Sequence, residues 1–342
     1  MSQKDKTLKI GVVGAGAIGG ICAGWIKNAG YDVRVVVRTP EHARQIMEEG
    51  IQITGIKGDL TIKMDAVSRV EDMDGDRDMV LLCVKATEMM AAAEKLKPGL
   101  KPGAMVVSLQ NGFCEEAVAG VLGRETVIGC VTGWGATLHS PCRLEMTSPG
   151  DFIVGNIDNK PDPRLEEVQA VLDNVLPTRI SNNIAGDLYS KLIINSCITS
   201  VGAVCGLYLG QMLSRKKARL IFLRIMEEAM AVAKAMGIEV AVFGGKLDYY
   251  RFLENKGFFA DLKRHLFLRA LGFKYRKLKS SSLQSLERGK KTEIDYLTGF
   301  ITSNASRFNI RTPVNTQVLE MVKKIEQGKA GIASENLDKI IL

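Results

Sequence analysis

The stretch Lys9-Ile-Gly-Val-Val-Gly14-Ala-Gly16-Ala-Ile-Gly19-Gly20 constrains this chain more than any other. The apolar run Ile10, Val12 and Val13 reads as a buried parallel strand, and a helix-like segment follows from Ile18 to Asn28. Between them stands Gly-x-Gly-x-x-Gly. Gly14 permits a tight turn, Gly16 lets the backbone approach a pyrophosphate, and Gly19 lets the helix pack close to the strand. The helix N-terminus then faces the phosphates. A lone motif of this kind is weak evidence for a ligand. This one joins strand to helix near the start of the chain and leads to a second strand over 32–37, so a dinucleotide turn is favoured over a ligand-free glycine turn. The candidate phosphate-loop residues are Gly14, Ala15, Gly16, Ala17, Ile18 and Gly19.

The end of the second strand selects the nucleotide. An NAD site places an acidic group about 20 residues past the glycines, where it accepts the ribose hydroxyls. Here the strand Val33-Arg34-Val35-Val36-Val37 ends in Arg38-Thr39. A guanidinium at that point suits a 2′-phosphate, because its planar fork binds phosphate bidentately. Arg44, one turn into the next helix, is placed to assist. NADP is therefore expected rather than NAD, against the alternative that Arg38 is a solvated strand-end charge.

A chain of 342 residues buries a large core and is expected to form two domains. No apolar run reads as long enough to cross a membrane, and residues 1–7 are polar rather than signal-like. The seven cysteines include no Cys-x-x-Cys pair and fall mostly in apolar segments, which points to reduced core thiols and a cytoplasmic protein. His42, His139 and His265 lack metal-site spacing, so no metal is expected. The net charge of +8 is mostly scattered and suits small anionic ligands better than nucleic acid. Its one dense stretch, Lys263–Lys279, interleaves charge with Leu266, Phe267, Leu268, Leu271 and Phe273. A helix with one buried and one solvated face accounts for it, and a lid, a dimer element or a membrane-surface contact remain open. A homodimer is compatible with the apolar helices.

Strand-like and helix-like segments alternate in the first half, with strands near 8–13, 33–37, 51–54, 79–84, 104–109 and 126–132. That alternation predicts a parallel, doubly wound α/β sheet. Shorter strands follow near 135–138, 143–147 and 152–155, then a helix over 164–174. Beyond about residue 182 helical periodicity dominates, over 186–214, 216–236, 247–271, 280–288, 293–307 and 314–326. The expected layout is a Rossmann-type domain over 1–181, an all-helical domain over 182–330, and a loosely held tail over 331–342.

Ligands of such sheets bind beyond the strand C-termini. Lys85 stands just past Met79–Val84, and Asn111 just past Ala104–Leu109, so both are candidates for cofactor and substrate contacts. A surface lysine and a turn asparagine are the plain alternatives. Lys191 and Asn195 lie four residues apart in an apolar helix, on one face and one turn apart. A lysine on a largely buried helix is costly unless paired or functional. Burial lowers its pKa and suits it to proton donation, while a lysine snorkelling at the helix edge explains it equally well. Ser280-Ser281-Ser282 precede a helix and offer donors to a carboxylate. Thr292 and Asp295 fit a capping box.

Taken together, the N-terminal Gly-x-Gly-x-x-Gly, the arginine after strand two, VKATE around Lys85, LQNG around Asn111, KLIIN around Lys191, and SSxLQ followed by KKTEID resemble the ketopantoate reductase (2-dehydropantoate 2-reductase) family over nearly the whole chain. The resemblance implies a Rossmann domain, a helical C-terminal domain and NADPH-dependent reduction of a 2-oxo acid in the cleft between them. It assigns the proton donor to Lys191, substrate contacts to Asn195 and Ser281, and contacts with both ligands to Asn111. Lys85, Ala136 and Glu293 would lie at the cofactor. The chain departs from the family pattern on the substrate side. Thr199 stands where a second asparagine is common, leaving one hydroxyl for substrate. Tyr208-Leu209-Gly210-Gln211 replaces a Pro-Asn-Gly-Glu turn, and the basic stretch over 240–279 is longer than usual. A reductase of another 2-oxo acid or ketone is the first alternative. A non-catalytic NADP-binding sensor is the second, and the intact Lys191, Asn111, Ser281 and Glu293 argue against it.

Overall fold

A computed structural model describes residues 7–255 and 257–342. The chain divides into two compact units, Met1–Ile184 and Ala185–Leu342. In the first, an eight-stranded sheet has the order β12-β11-β8-β7-β6-β1-β2-β5. Its strands are β1 (Lys9–Val13), β2 (Asp32–Val36), β5 (Asp65–Val67), β6 (Met79–Leu82), β7 (Met105–Ser108), β8 (Val127–Thr132), β11 (Phe152–Asn156) and β12 (Thr178–Ile180). All neighbours pair in parallel except β8 and β11. The helices α1 (Ala17–Asn28), α2 (Pro40–Glu48), α3 (Met89–Leu96), α4 (Glu115–Leu122) and α5 (Arg164–Leu172) belong to the same unit. The central strands are buried along their whole length, which is why they read as continuous Val, Leu and Met runs rather than alternating ones.

The sequence around 51–54 is a strand, as expected, but it does not join the large sheet. β3 (Ile51–Gly55), with β4 (Leu60–Ile62), β9 (Gly135–Ser140) and β10 (Arg143–Ser148), forms a second sheet in the order β4-β3-β10-β9. Alternation marks a strand but not its partner, and β3 pairs with β10, about ninety residues on. Helix α1 packs on this second sheet through glycine. A Cβ at Gly20 would lie 2.5 Å from Leu144 Cδ1, and one at Gly24 2.4 Å from Ile53 Cδ1.

The second unit carries α6 (Ile184–Asn195), α7 (Val201–Cys205), α8 (Leu209–Ser214), α9 (Lys216–Ala235), α10 (Tyr249–Glu254), α11 (Phe258–Lys274), α12 (Ser281–Glu287), α13 (Thr298–Arg307) and α14 (Pro313–Glu326). No strand is named there among the described residues. The periodic run over 186–214 is not one helix. Ser196–Ser200 winds as a π-helical turn, and Gly206 ends α7 in the left-handed conformation at φ 70°. Contrary to the sequence reading, the path Ile184–Cys205 is long and apolar enough to cross a membrane; its apolar window is 83% buried within the protein, so it is a core helix. The segment 331–342 is likewise not a loose tail. Leu337 and Ile340 are buried, Asn336 Nδ2 donates to Val204 O at 3.1 Å, and Ile341 N donates to Gln317 Oε1 at 2.8 Å. Two apolar anchors and a buried amide hold down the terminal segment that was expected to fray.

Candidate active site

In the large sheet β1 has β2 on one side and β6 on the other, so the winding reverses between β1 and β6. Ligands of such sheets bind at that reversal, beyond the strand C-termini. Gly14 leaves β1 at φ 100°, and its N–H donates to Val36 O at 2.9 Å. A Cβ there would sit 2.9 Å from Val84 N, so the turns after β1 and β6 touch through glycine. Gly19 is tighter: a Cβ would lie 2.1 Å from Gly14 O and 2.7 Å from Cys83 Cβ. Gly16 differs from both. Its φ is −76°, and a Cβ there would meet nothing within 4 Å. No side chain caps α1, whose first N–H groups lack partners within the helix. Open space beside uncapped donors is a cradle for an anion.

These glycines therefore have separable roles. Gly19→Ala should cost about 1–3 kcal/mol of stability or more, because backbone atoms cannot yield as side chains do. Gly16→Ala should leave the melting temperature unchanged and weaken dinucleotide binding about tenfold or more, through charge-assisted bonds lengthened by the methyl group. Thermal melts and cofactor titrations of the two variants check this. Equal melting temperatures for both would refute the assignment.

Arg38 stands beyond β2, exposed, with Nη2 2.5 Å from Glu88 Oε1. Glu88 lies in the turn after β6 and was invisible as a partner in sequence, fifty residues away. Thr39 Oγ1 caps α2 by accepting from His42 N at 3.2 Å. Arg44 is exposed on α2. Lys85 and Asn111 are both half-buried. Between their strands lies a residue that sequence reading missed. Gln110 is buried, accepts from Ser108 Oγ at 2.7 Å, and donates through Nε2 to Leu82 O at 2.9 Å and Val84 O at 3.2 Å. It stitches the end of β7 to the end of β6 and holds the Asn111 turn beside the Lys85 turn. Its only signal in sequence was adjacency to Asn111. Ala136 sits half-buried in β9, opposite Met146 of β10.

In the second unit, every described residue from 186 to 205 is buried except Lys191, Asn195 and Ile198. Spacings of four and three put these three on one face. The polar pair thus lies on the half-exposed face of an otherwise buried stretch. Tyr189 OH donates to Ala229 O at 2.9 Å, and Tyr249 OH donates to Ser190 O at 2.8 Å, which ties α6 to α9 and α10 on either side of Lys191. Directly after Asn195 comes the π-helical turn, a form found frequently at functional sites. Within it Thr199 Oγ1 donates to Asn195 O at 2.7 Å, so its hydroxyl retains only acceptor capacity. Ser200 Oγ and Thr298 Oγ1 are 2.8 Å apart and bind the turn to α13. Gly202 lets α12 approach: a Cβ there would lie 2.7 Å from Ser280 Oγ. Ser280 caps α12, Ser282 is buried, and Ser281 is the exposed serine of the three. Glu293 is half-buried ahead of a short 3₁₀ turn. The expected capping box does not form. Thr292 N and Oγ1 both donate to Glu326 Oε1 at 2.7 Å, and Asp295 pairs with Lys323 instead. A charged partner on α14 outcompetes the local cap.

Residues 10–159 match the family model described as ketopantoate reductase PanE/ApbA, and residues 183–326 match its C-terminal counterpart. The chain belongs to the ketopantoate reductase family. Among relatives of that family, the 2-dehydropantoate 2-reductase of Pyrococcus abyssi is 32% identical over 92% of this chain and 97% of its own. That of Archaeoglobus fulgidus is 27% identical over 94% and 98%. A PanE/ApbA family ketopantoate reductase from Ralstonia eutropha superposes with a TM-score of 0.81 at 26% identity, covering 94% of this chain and 99% of that one. The fold is shared more widely: D-mandelate dehydrogenase in a ternary structure with NADH has a TM-score of 0.79 at 21% identity, covering 94% and 99%.

Proposed function

We propose that this protein reduces 2-dehydropantoate to pantoate with NADPH, with Lys191 as proton donor. The observation that carries this reading is the half-buried Lys191–Asn195 pair on an otherwise buried stretch over 186–197, in a chain whose family relatives bear the name 2-dehydropantoate 2-reductase. The dinucleotide fits the first unit: Gly16 leaves room for a pyrophosphate that a methyl group would fill. The backbone of Gly14, Ala15, Gly16, Ala17, Ile18 and Gly19 would hold that pyrophosphate, and Arg38 the 2′-phosphate. Lys85, Asn111, Ala136 and Glu293 would complete the cofactor contacts. NADPH, when bound, supplies a hydride for the carbonyl carbon. Lys191 holds a proton at Nζ and gives it to the carbonyl oxygen, so the ketone leaves as the alcohol. Asn195 and Asn111 orient the substrate through their carboxamides, and Ser281 Oγ donates to its carboxylate. Thr199, its hydrogen already committed to Asn195 O, can only accept from a substrate hydroxyl. Seven free cysteines suit a reducing compartment, and we place the enzyme in the cytoplasm on that ground.

A second reading rests on Leu209. It is 1% exposed and its N–H donates to Leu278 O at 2.9 Å, so it offers a substrate neither a polar side chain nor a spare donor. A site that leaves a substrate hydroxyl unpaired discriminates against it. The test is NADPH oxidation across a panel of 2-oxo acids, with kcat/KM compared for 2-dehydropantoate and the same acid without its hydroxyl. Preference for 2-dehydropantoate is expected. A strong preference for the deoxy acid would assign the enzyme to another 2-oxo acid, and no turnover of any would leave an NADP-binding protein without this activity.

A further inference from the structure

Outside Lys263–Lys279 the lysines and arginines of the chain nearly match its carboxylates. Inside that stretch seven cations stand with no carboxylate, against a net charge of +8 for all 342 residues. Helix α11 and the turn after it carry this block. The one carboxylate of α11, Asp261, pairs with the buried Arg264 at 2.7 Å, and Lys279 pairs with Glu287 at 2.5 Å. Lys263, Arg269, Lys274, Arg276 and Lys277 are exposed and have no carboxylate partner among the described residues. The neighbouring segment Tyr208–Met226, which includes α8, holds no acidic residue to balance them.

The same helix leaves an apolar face in water. Arg264, Leu268 and Gly272 are its buried residues, and a Cβ at Gly272 would lie 2.8 Å from Leu213 Cβ of α8. Opposite them stand Phe259, Leu262, Leu266, Ala270 and Phe273, all exposed, with Phe259 at 76% and Phe273 at 74%. At about 100° per residue these five fall within a stripe about 80° wide. Lys263 and Lys274 edge the stripe on one side and Arg269 on the other. Exposed apolar surface of this extent, rimmed by polar groups, marks a contact with a partner or a membrane.

We infer that α11 seats this protein on the surface of a bilayer that contains anionic lipid. A helix lying in a membrane interface has this composition, Phe and Leu on one face and lysine and arginine at its edges. Cation stems of this length cover apolar surface while their charged ends reach the lipid phosphates. The stripe runs about 21 Å along the helix axis, aromatic at both ends and leucine in the middle, and no carboxylate interrupts it. An acidic protein would meet the same charges, but it would need pockets shaped to Phe259 and Phe273, whereas fluid acyl chains fill around them. Beside Phe273 a groove of about 1040 Å³ opens between α8 and α11, where Arg269, Arg276 and Lys277 stand around Tyr208 and Leu213. A lipid phosphate fits there, next to the apolar stripe.

The test is flotation of the full chain with vesicles. At low salt it should float with mixed phosphatidylcholine and phosphatidylglycerol, stay behind with phosphatidylcholine alone, and be released as salt rises. Leu266→Glu should abolish flotation while the protein stays folded by circular dichroism and still binds NADPH. Arg269→Gln with Lys274→Gln should weaken vesicle binding about 30-fold, the scale of two cations near an anionic surface. Leu266→Trp should shift its emission to the blue on the mixed vesicles, whereas Lys95→Trp, exposed in the first unit, should not. Equal flotation on phosphatidylcholine alone, flotation that survives Leu266→Glu, or an unshifted Leu266→Trp on a chain that floats overturns the proposal. So does the absence of flotation at low salt, which would assign the stripe to a protein partner.

Discussion

Lys191→Ala should lower kcat by about 10²–10⁴-fold, the usual contribution of a positioned general acid. The NADPH dissociation constant should stay unchanged, since the proposed nucleotide contacts lie mainly in the other unit. Lys191 is half-buried on a helix whose neighbouring turns are anchored by Tyr189 and Tyr249. Removing its side chain leaves those anchors intact, so the variant should fold. Steady-state kinetics alongside cofactor titration checks the split. Near-normal turnover would remove Lys191 as proton donor, and loss of folded protein would make it a structural residue.

Arg38→Asp should raise the NADPH dissociation constant by about 10- to 100-fold, from loss of a charge-assisted contact worth roughly 1.5–3 kcal/mol. The side chain is 67% exposed, so solvent and salt screening favour the lower end of that range. NADH binding should change little. Glu88 adds a control. Its carboxylate occupies the guanidinium that we assign to the 2′-phosphate. Glu88→Gln should therefore tighten NADPH modestly, by up to about fivefold, the scale of an exposed ion pair. Wild-type protein that binds NADH as well as NADPH would sink the assignment.

Much of the fold was legible because backbone geometry leaves few alternatives. Only glycine serves at Gly14 and Gly19, where a Cβ would strike main-chain atoms, and the buried parallel strands had no polar face to conceal them. What stayed hidden depends on partners distant in sequence. β3 alternates correctly for either sheet, and only β10 decides which one it joins. The short strands β4, β5 and β12 are three residues each, too brief for a period to register. Thr292 looked like half of a capping box until Glu326 arrived from α14. Lys191 and Asn195 were legible as a pair, whereas the burial of every other residue from 186 to 205 except Ile198 was not. Gln110 and Glu88 act through bonds to strand ends that no local pattern encodes.

The π-helical turn at Ser196–Ser200 sets the phase of everything that follows it. Such a turn is an α-helix that has absorbed one additional residue. Deleting any one of the five would let a regular helix reform with the downstream segment near its present phase, whereas a further residue added to a regular helical turn would swing that segment by about 100° relative to Lys191. Gly202 would then no longer face Ser280, and the serines of α12 would lose their seat. Lys191 and Ser281, ninety positions apart, thus stay in step because the turn takes up its surplus peptide, and this stretch should tolerate changes of side chain far better than further insertions.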